Sequence, residues 1–245
     1  MSVVETTKET NPQIEALFKA GAHFGYSKSR RHPSASPYIF GAKNRVEIFD
    51  LEATSGTLNV AKEFIRNLGR DGKTILLISG KSEGKNAIKD GATAINMPYV
   101  AGRFIGGTLT NFPQIRKRID KLEKLLGERE SGELNRYTKK ERLLIDRDID
   151  RLTHDFGGIV SLKQFPSALV LIDPKREHNA VKEAQRLKIP IVALANSDCN
   201  LREVAYPVPG NDSLKKSVEF FIGEIVSAYQ EGKKTAAIVA PAIIA

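Results

Sequence analysis

The sequence predicts an α/β protein: a parallel sheet covered by helices, interrupted by an inserted antiparallel helical hairpin. Three observations carry this expectation. Two apolar runs, Thr74-Ile75-Leu76-Leu77-Ile78 and Ala168-Leu169-Val170-Leu171-Ile172, stop at Ser79-Gly80 and Asp173-Pro174. Strands buried on both faces read this way. Helical segments alternate with such runs, which implies parallel strands with helical crossovers. The interval 113–157 breaks the rhythm, being highly charged and helical in period throughout.

Each element has its own signal. Residues 1–11 are polar and read as a disordered lead. Pro12 opens a short helix carrying Ile14, Leu17 and Phe18, and Gly21 ends it. Tyr38-Ile39-Phe40 and Val46-Glu47-Ile48-Phe49 are strand-like, with Gly41-Ala42-Lys43-Asn44 as the turn. Thr54 or Ser55 is expected to cap a helix with Leu58, Ala61, Phe64, Ile65 and Leu68 on one face, closed by Gly69. After the first buried strand come a helix over 83–90 and a short strand near Ala94-Ile95-Asn96. After the second come a helix over 176–187, a strand at Ile191-Val192-Ala193-Leu194 and a closing helix over 212–230.

The inserted segment carries two narrow seams. Ile115, Ile119, Leu122 and Leu126 are spaced four, three and four, and Ile145, Ile149, Leu152 and Phe156 repeat that spacing. Gly127 and Ser131-Gly132 separate them. A projecting coiled-coil hairpin, each seam satisfied by the other, is favoured over two amphipathic helices packed on the sheet. The predicted division is a lead at 1–11, a discontinuous α/β domain at 12–112 and 158–230, the hairpin at 113–157 and a tail at 231–245. The tail is apolar, contains Pro241 and is too short to span a bilayer.

Composition narrows the function. Lys and Arg number 38 against 29 Asp and Glu, giving +9 and a pI near 9.5. Such a balance points towards a polyanionic partner. Cys199 is the only cysteine, and neither it nor the four histidines show metal-ligand spacing. No disulfide, structural zinc or other cofactor is expected. Met1–Asn11 lacks an apolar core for a signal peptide, and no run of about 18 apolar residues exists. The expectation is a cytoplasmic protein with no membrane partner.

Catalytic chemistry finds little support. The dinucleotide fingerprint G-x-G-x-x-G is missing. Gly72-Lys73-Thr74 and Gly80-Lys81-Ser82 imitate the end of a phosphate loop, but Asn67 and Ile75 stand where its first glycine belongs. The first tripeptide also precedes its strand, so it cannot open a helix over phosphate. Gly80-Lys81-Ser82 follows a strand and is read as a weak anion site, with Lys81 a surface cation. This is the alternative, enzymatic reading. Cys199 and His23 have no activating partner in sequence; Cys199 is read as a small buried thiol, and His23 as packed or bonded to backbone or RNA.

The basic segments speak more clearly. Lys28, Arg30, Arg31, Lys43 and Arg45 lie in loop or hairpin sequence, with no acid between Glu15 and Glu47. Arg103 precedes Gly106-Gly107-Thr108-Leu109-Thr110-Asn111-Phe112, whose glycines, Thr108 and Asn111 would offer donors to phosphates or 2′-hydroxyls. Arg116-Lys117-Arg118 is the basic cluster of the hairpin. These eleven residues are the candidate RNA-binding set.

Three separated segments resemble one family. Gly21-Ala22-His23-Phe24-Gly25 through Pro37-Tyr38-Ile39-Phe40-Gly41 is similar to the N-terminal signature of bacterial small-subunit ribosomal protein S2. Gly106 to Phe112 looks like the family's segment before its coiled coil. Ala168–Pro174, Ile189–Leu194 and Tyr206–Asp212 resemble its C-terminal half. The sequence departs at Tyr26, where a second His is usual, at Arg31, His32 and Ala35, and within Asn196–Asn200. The resemblance implies a flavodoxin-like domain with an inserted coiled coil. It implies a non-enzymatic constituent of the small ribosomal subunit, bound to rRNA between head and body near the mRNA exit. Neighbouring small-subunit proteins are implied as partners, and in some bacteria the family helps to hold the largest small-subunit ribosomal protein.

Overall fold

Asn11 starts the first helix by accepting the Gln13 backbone N–H, and Pro12 takes the position where no donor is needed. This helix, α1 (Pro12–Lys19), opens the computed structural model, which describes residues 11–239. The expected lead, apart from Asn11, and residues 240–245 of the expected tail lie outside the described residues.

A small antiparallel sheet follows, ordered β1-β3-β2, from β1 (Phe24–Ser27), β2 (Ile39–Lys43) and β3 (Val46–Phe49). Strand β1 has no clear alternation and was not expected. The hairpin turns at Asn44-Arg45, not over 41–44. Lys43 pairs with Val46, and the two turn residues have φ of 53° and 65°. Two left-handed residues match the twist of the flanking strands, so the turn tightens and Gly41–Lys43 join β2. The register shifts between Ile39 and Gly41, leaving Phe40 81% exposed.

Helix α2 (Leu51–Arg70) starts earlier than expected because Asp50 caps it, its Oδ1 accepting from the Glu52 and Ala53 N–H groups. Thr54 is buried instead, and its hydroxyl donates to the carbonyls of Asp50 and Pro209.

The main sheet is parallel, in the order β5-β4-β6-β7-β8, with β4 (Ile75–Ser79), β5 (Tyr99–Ala101), β6 (Ala168–Ile172), β7 (Ile191–Ala195) and β8 (Tyr206–Pro209). Counted within the sheet this is the flavodoxin-like 2-1-3-4-5 order. Pro207 and Pro209 are tolerated because β8 is an edge strand. The strand expected near 94–96 is absent. Helix α3 (Ser82–Ile95) continues through it, and Asn96 closes the helix at φ 61°.

One sheet face, with Ile75, Leu77, Val170 and Val192, packs in a cluster with residues of α2, α3 and α7 (Lys215–Val239). Helix α7 passes the expected end at 230, so the first part of the predicted tail is helical. Gly69, Gly91 and Gly232 lie within helices rather than beyond their ends. An added Cβ at Gly69 would overlap the Tyr229 carbonyl, at Gly91 the Ile222 side chain, and at Gly232 the Arg66 carbonyl. Gly69 and Gly232 let α7 approach α2 at backbone distance, and Gly91 lets the Ile222 side chain of α7 seat against α3.

The opposite face, with Leu76, Ile78, Leu169 and Leu171, meets α6 (His178–Arg186), α4 (Phe112–Glu130) and α5 (Lys139–Phe156). Helices α4 and α5 contact each other, and a capping box between Thr138 and Glu141 starts α5. Their buried Ile115, Ile119, Leu122, Ile149, Leu152 and Phe156 form one continuous apolar cluster with the sheet face. The expectation of self-satisfied seams is therefore corrected. The base of the helix pair is part of the core, because the nine-residue α6 is too short to cover this face by itself.

Candidate nucleic-acid interface

Antiparallel register gathers the N-terminal cations. Ser27 and Lys43 both align with Val46 of β3, so the turn after Ser27 lies beside the tip of the β2–β3 hairpin. Lys28 and Arg30 sit in that turn, and Lys43 and Arg45 at that tip. All four are exposed, and none forms an ion pair among the described residues. The Arg30 guanidinium lies 5.6 Å from the centre of the Tyr26 ring, which holds it over the sheet. At the other end of β1, His23 stacks on Phe18 at 4.6 Å and meets Phe24 at 4.0 Å. Burial pushes the His23 imidazole below its ordinary pKa and so favours the neutral ring.

Three of the eleven candidate residues are committed inside the protein. Arg31 Nη1 lies 3.2 Å from Glu47, which is 1% exposed. Its charge compensates a buried carboxylate rather than a phosphate. Arg116 holds Asp120 and Glu123, each at 2.8 Å, and donates to the Val160 carbonyl at 3.1 Å. Thr108 is buried and donates its hydroxyl to the Ile105 carbonyl. The donors expected from the Gly106–Asn111 loop are spent in the same way. The buried Glu183 carboxylate of α6 accepts from the N–H groups of Gly107, Leu109 and Thr110 and from the Thr110 hydroxyl. An internal acid stands where a phosphate was expected. Asn111, Arg103, Lys117 and Arg118 remain exposed, and none of the three cations forms an ion pair among the described residues.

A second constellation was not legible as such. The carboxyl ends of parallel strands meet at one sheet edge, where α/β proteins place ligands. Here Lys81 follows β4, Asp173 follows β6 and Asp212 follows β8. Lys81 is 8% exposed, with its ammonium 2.8 Å from both Asp173 and Asp212. This corrects the reading of Lys81 as a surface cation and removes it as an anion-binding group of Gly80-Lys81-Ser82. One ammonium already faces two carboxylates. Burial opposes its charge, but the two aspartates outweigh that and hold its pKa above the ordinary lysine value. Burial raises the Asp212 pKa, with Lys81 and Asn196 pulling against it. Asp212 also accepts from Asn196 and Ser213, and Tyr26 ties Ser213 to the cluster through a 2.7 Å hydroxyl contact. Tyr26, at a departure from the family pattern, thus has an internal role.

Asp173, Cys199 and Asp212 each offer a ligand atom within 4.8 Å of the others, a grouping the sequence spacing did not reveal. The Lys81 ammonium occupies the cationic place among these carboxylates. Cys199 is fully buried, and burial followed by the nearby Asp173 raises its thiol pKa far above the ordinary value. It is protonated and non-nucleophilic at neutral pH. Asp173 adopts φ 62°, a left-handed conformation costly for a residue other than glycine. Its carboxylate offsets that cost by accepting the Arg176 N–H and pairing with Lys81.

Comparison with known proteins gives a consistent answer. The model of the family described as ribosomal protein S2 matches residues 17–232. The small ribosomal subunit protein uS2 of a Nitratiruptor species is 40% identical over 221 residues, covering 90% of this chain and 83% of the relative. Its counterpart from Parabacteroides distasonis is 39% identical over 219 residues, 89% of this chain and 79% of the relative. That of Sulfurimonas denitrificans is 38% identical over 220 residues, 90% of this chain and 85% of the relative. With the flavodoxin-like strand order and most of its length matched, the chain belongs to the ribosomal protein S2 family.

Proposed function

We propose that the chain is a structural, non-enzymatic constituent of the small ribosomal subunit that binds rRNA between head and body, near the mRNA exit, and so supports translation in the cytoplasm. Family membership supports the ribosomal role. The observation that carries RNA binding is the group of exposed cations Lys28, Arg30, Lys43 and Arg45, gathered at one end of the small sheet and unpaired among the described residues. Phe24 and Phe40, 47% and 81% exposed on that sheet, offer ring faces on which unpaired bases stack. Arg103, Asn111, Lys117 and Arg118 are exposed as well and are candidates for the same partner. The helices α4 and α5 form the proposed coiled-coil hairpin of the family. Neighbouring small-subunit proteins are partners, and the largest small-subunit protein is one where it is present. No helix among the described residues is long and apolar enough to cross a membrane.

Family membership and the state of Lys81 support the non-enzymatic reading. Where a phosphate loop would present its lysine, Lys81 is buried between two acids. Fractionation of cell extract on a density gradient tests the role. The chain is expected to sediment with the small subunit and to leave it in high salt. Sedimentation only as free protein at low salt contradicts the proposal.

A further inference from the structure

The carboxyl ends of β4 and β6 flank the point where the chain leaves the sheet centre in opposite directions. A cleft of about 450 Å³ opens there, lined by Gly80, Lys85, Arg103, His154, Arg176 and Glu177 among others. It shares Gly102, Arg103 and His154 with a second cleft of about 390 Å³ that adds Lys89 and Asp155. Lys85, Lys89, Arg103 and Arg176 form no ion pair among the described residues. Lys85, Arg103 and Arg176 thus line the first cleft and Lys89 the adjoining one, with Glu177 and Asp155 as the acids at their borders. Helix α6 begins in the wall: Glu177, His178 and Asn179 line it, and the N-cap Glu177 makes no side-chain cap bond. The first turn of a helix presents N–H groups and a partial positive charge to a bound anion. Lys81, held by its aspartates, is not among the lining residues.

We propose that this cleft is a phosphate-ester site in which Arg103, Arg176 and Lys85 hold the phosphate oxygens against the start of α6. Arginine forks match phosphate geometry, and convergent cations in a concave site favour an anion over water. The proposal deepens the RNA-binding reading, and rests on it only for RNA as a source of the phosphate. A free nucleotide presents the same chemistry. Glu177 limits affinity when ionised, because its buried carboxyl borders the same groove. Burial raises that carboxyl to a pKa of about 7, against the opposing pull of the Gly80 backbone.

Backbone-amide NMR of the full chain at pH 8 tests the site. A nucleoside 5′-monophosphate and a short single-stranded RNA oligonucleotide are titrated separately. Shifts at Gly80, Gly102 and Asn179 are expected to saturate. Arg103→Ala with Arg176→Ala should weaken the binding about tenfold or more, and Glu177→Gln should tighten it roughly fivefold. Both arginines are exposed, so loss of the fold does not confound the double variant. Saturation by both probes assigns the site to the phosphate itself. Saturation by the oligonucleotide alone assigns it to an RNA strand, and by the monophosphate alone to a free nucleotide. No shift at these amides with either probe, or undiminished affinity in the double variant, overturns the proposal. A Lys28, Arg30, Lys43 and Arg45 alanine variant keeps the cleft shifts, so failure of the N-terminal interface is scored separately.

Discussion

Replacing Lys81 with methionine is expected to lower the stability of the chain by about 3–5 kcal/mol, because it leaves two buried carboxylates without a cation. Asp212 is fully buried and Asp173 nearly so, and each lies 2.8 Å from the ammonium that would be removed. For a chain of this length the loss corresponds to a fall in thermal midpoint of roughly 10 °C. Adding Asp212→Asn to Lys81→Met should recover part of it, since one of the two orphaned charges disappears. A Lys81→Met midpoint within about 1 °C of wild type would show that the cluster is solvated and that Lys81 is a surface cation after all. The effect belongs to folding. Loss of subunit assembly in this variant should follow loss of the fold.

A Glu177→Gln variant is expected to be the more stable protein at pH 8 and no more stable at pH 4. Glu177 is 5% exposed, and burial raises its pKa from 4.5 to about 7. A carboxyl raised in the folded state holds its proton more tightly there than in the unfolded chain. Its favourable contribution is therefore complete below about pH 4.5 and is lost as pH rises through about 7. The ionised group then costs on the order of 2–3 kcal/mol, which glutamine avoids. Thermal midpoints of both proteins from pH 4 to 8 are the check. Parallel curves would mean that Glu177 ionises in the folded chain as it does in water.

The fold was legible where physics is local. Two runs of apolar residues named β4 and β6, and a 3.6-residue period named α4 and α5. Positions set by distant packing were not. Gly69 reads as a helix end but lies, like Gly91 and Gly232, inside a helix where α7 meets its neighbours. Strand β8 was not predicted, and it tolerates Pro207 and Pro209 because nothing pairs beyond it. The hairpin turn was misplaced because Arg45 adopts a left-handed conformation that sequence assigns to glycine or asparagine.

The candidate site divides on the same line. Charge and exposure are short-range properties, and Lys28, Arg30, Lys43 and Arg45 are exposed, as their loop sequence suggested. Partners brought from far along the chain could not be read. Glu47 claims Arg31, Glu183 fills the loop that ends at Asn111, and Asp212 and Asp173 enclose Lys81. A usable signal existed for the last of these. Lys81, Asp173 and Asp212 each stand just beyond a strand, and parallel strands bring such positions together.

The most direct test of the account is the salt dependence of binding to small-subunit rRNA, compared between wild type and the variant with Lys28, Arg30, Lys43 and Arg45 all changed to alanine. Removing one cation from a phosphate lowers the slope of log affinity against log salt by about 0.7–0.9. The account predicts weaker binding in low salt and a slope shallower by about 3 for the four together. The thermal midpoint should be unchanged, because all four side chains are exposed. Equal affinity and equal slope in the two proteins would contradict it and move the RNA interface elsewhere on the surface.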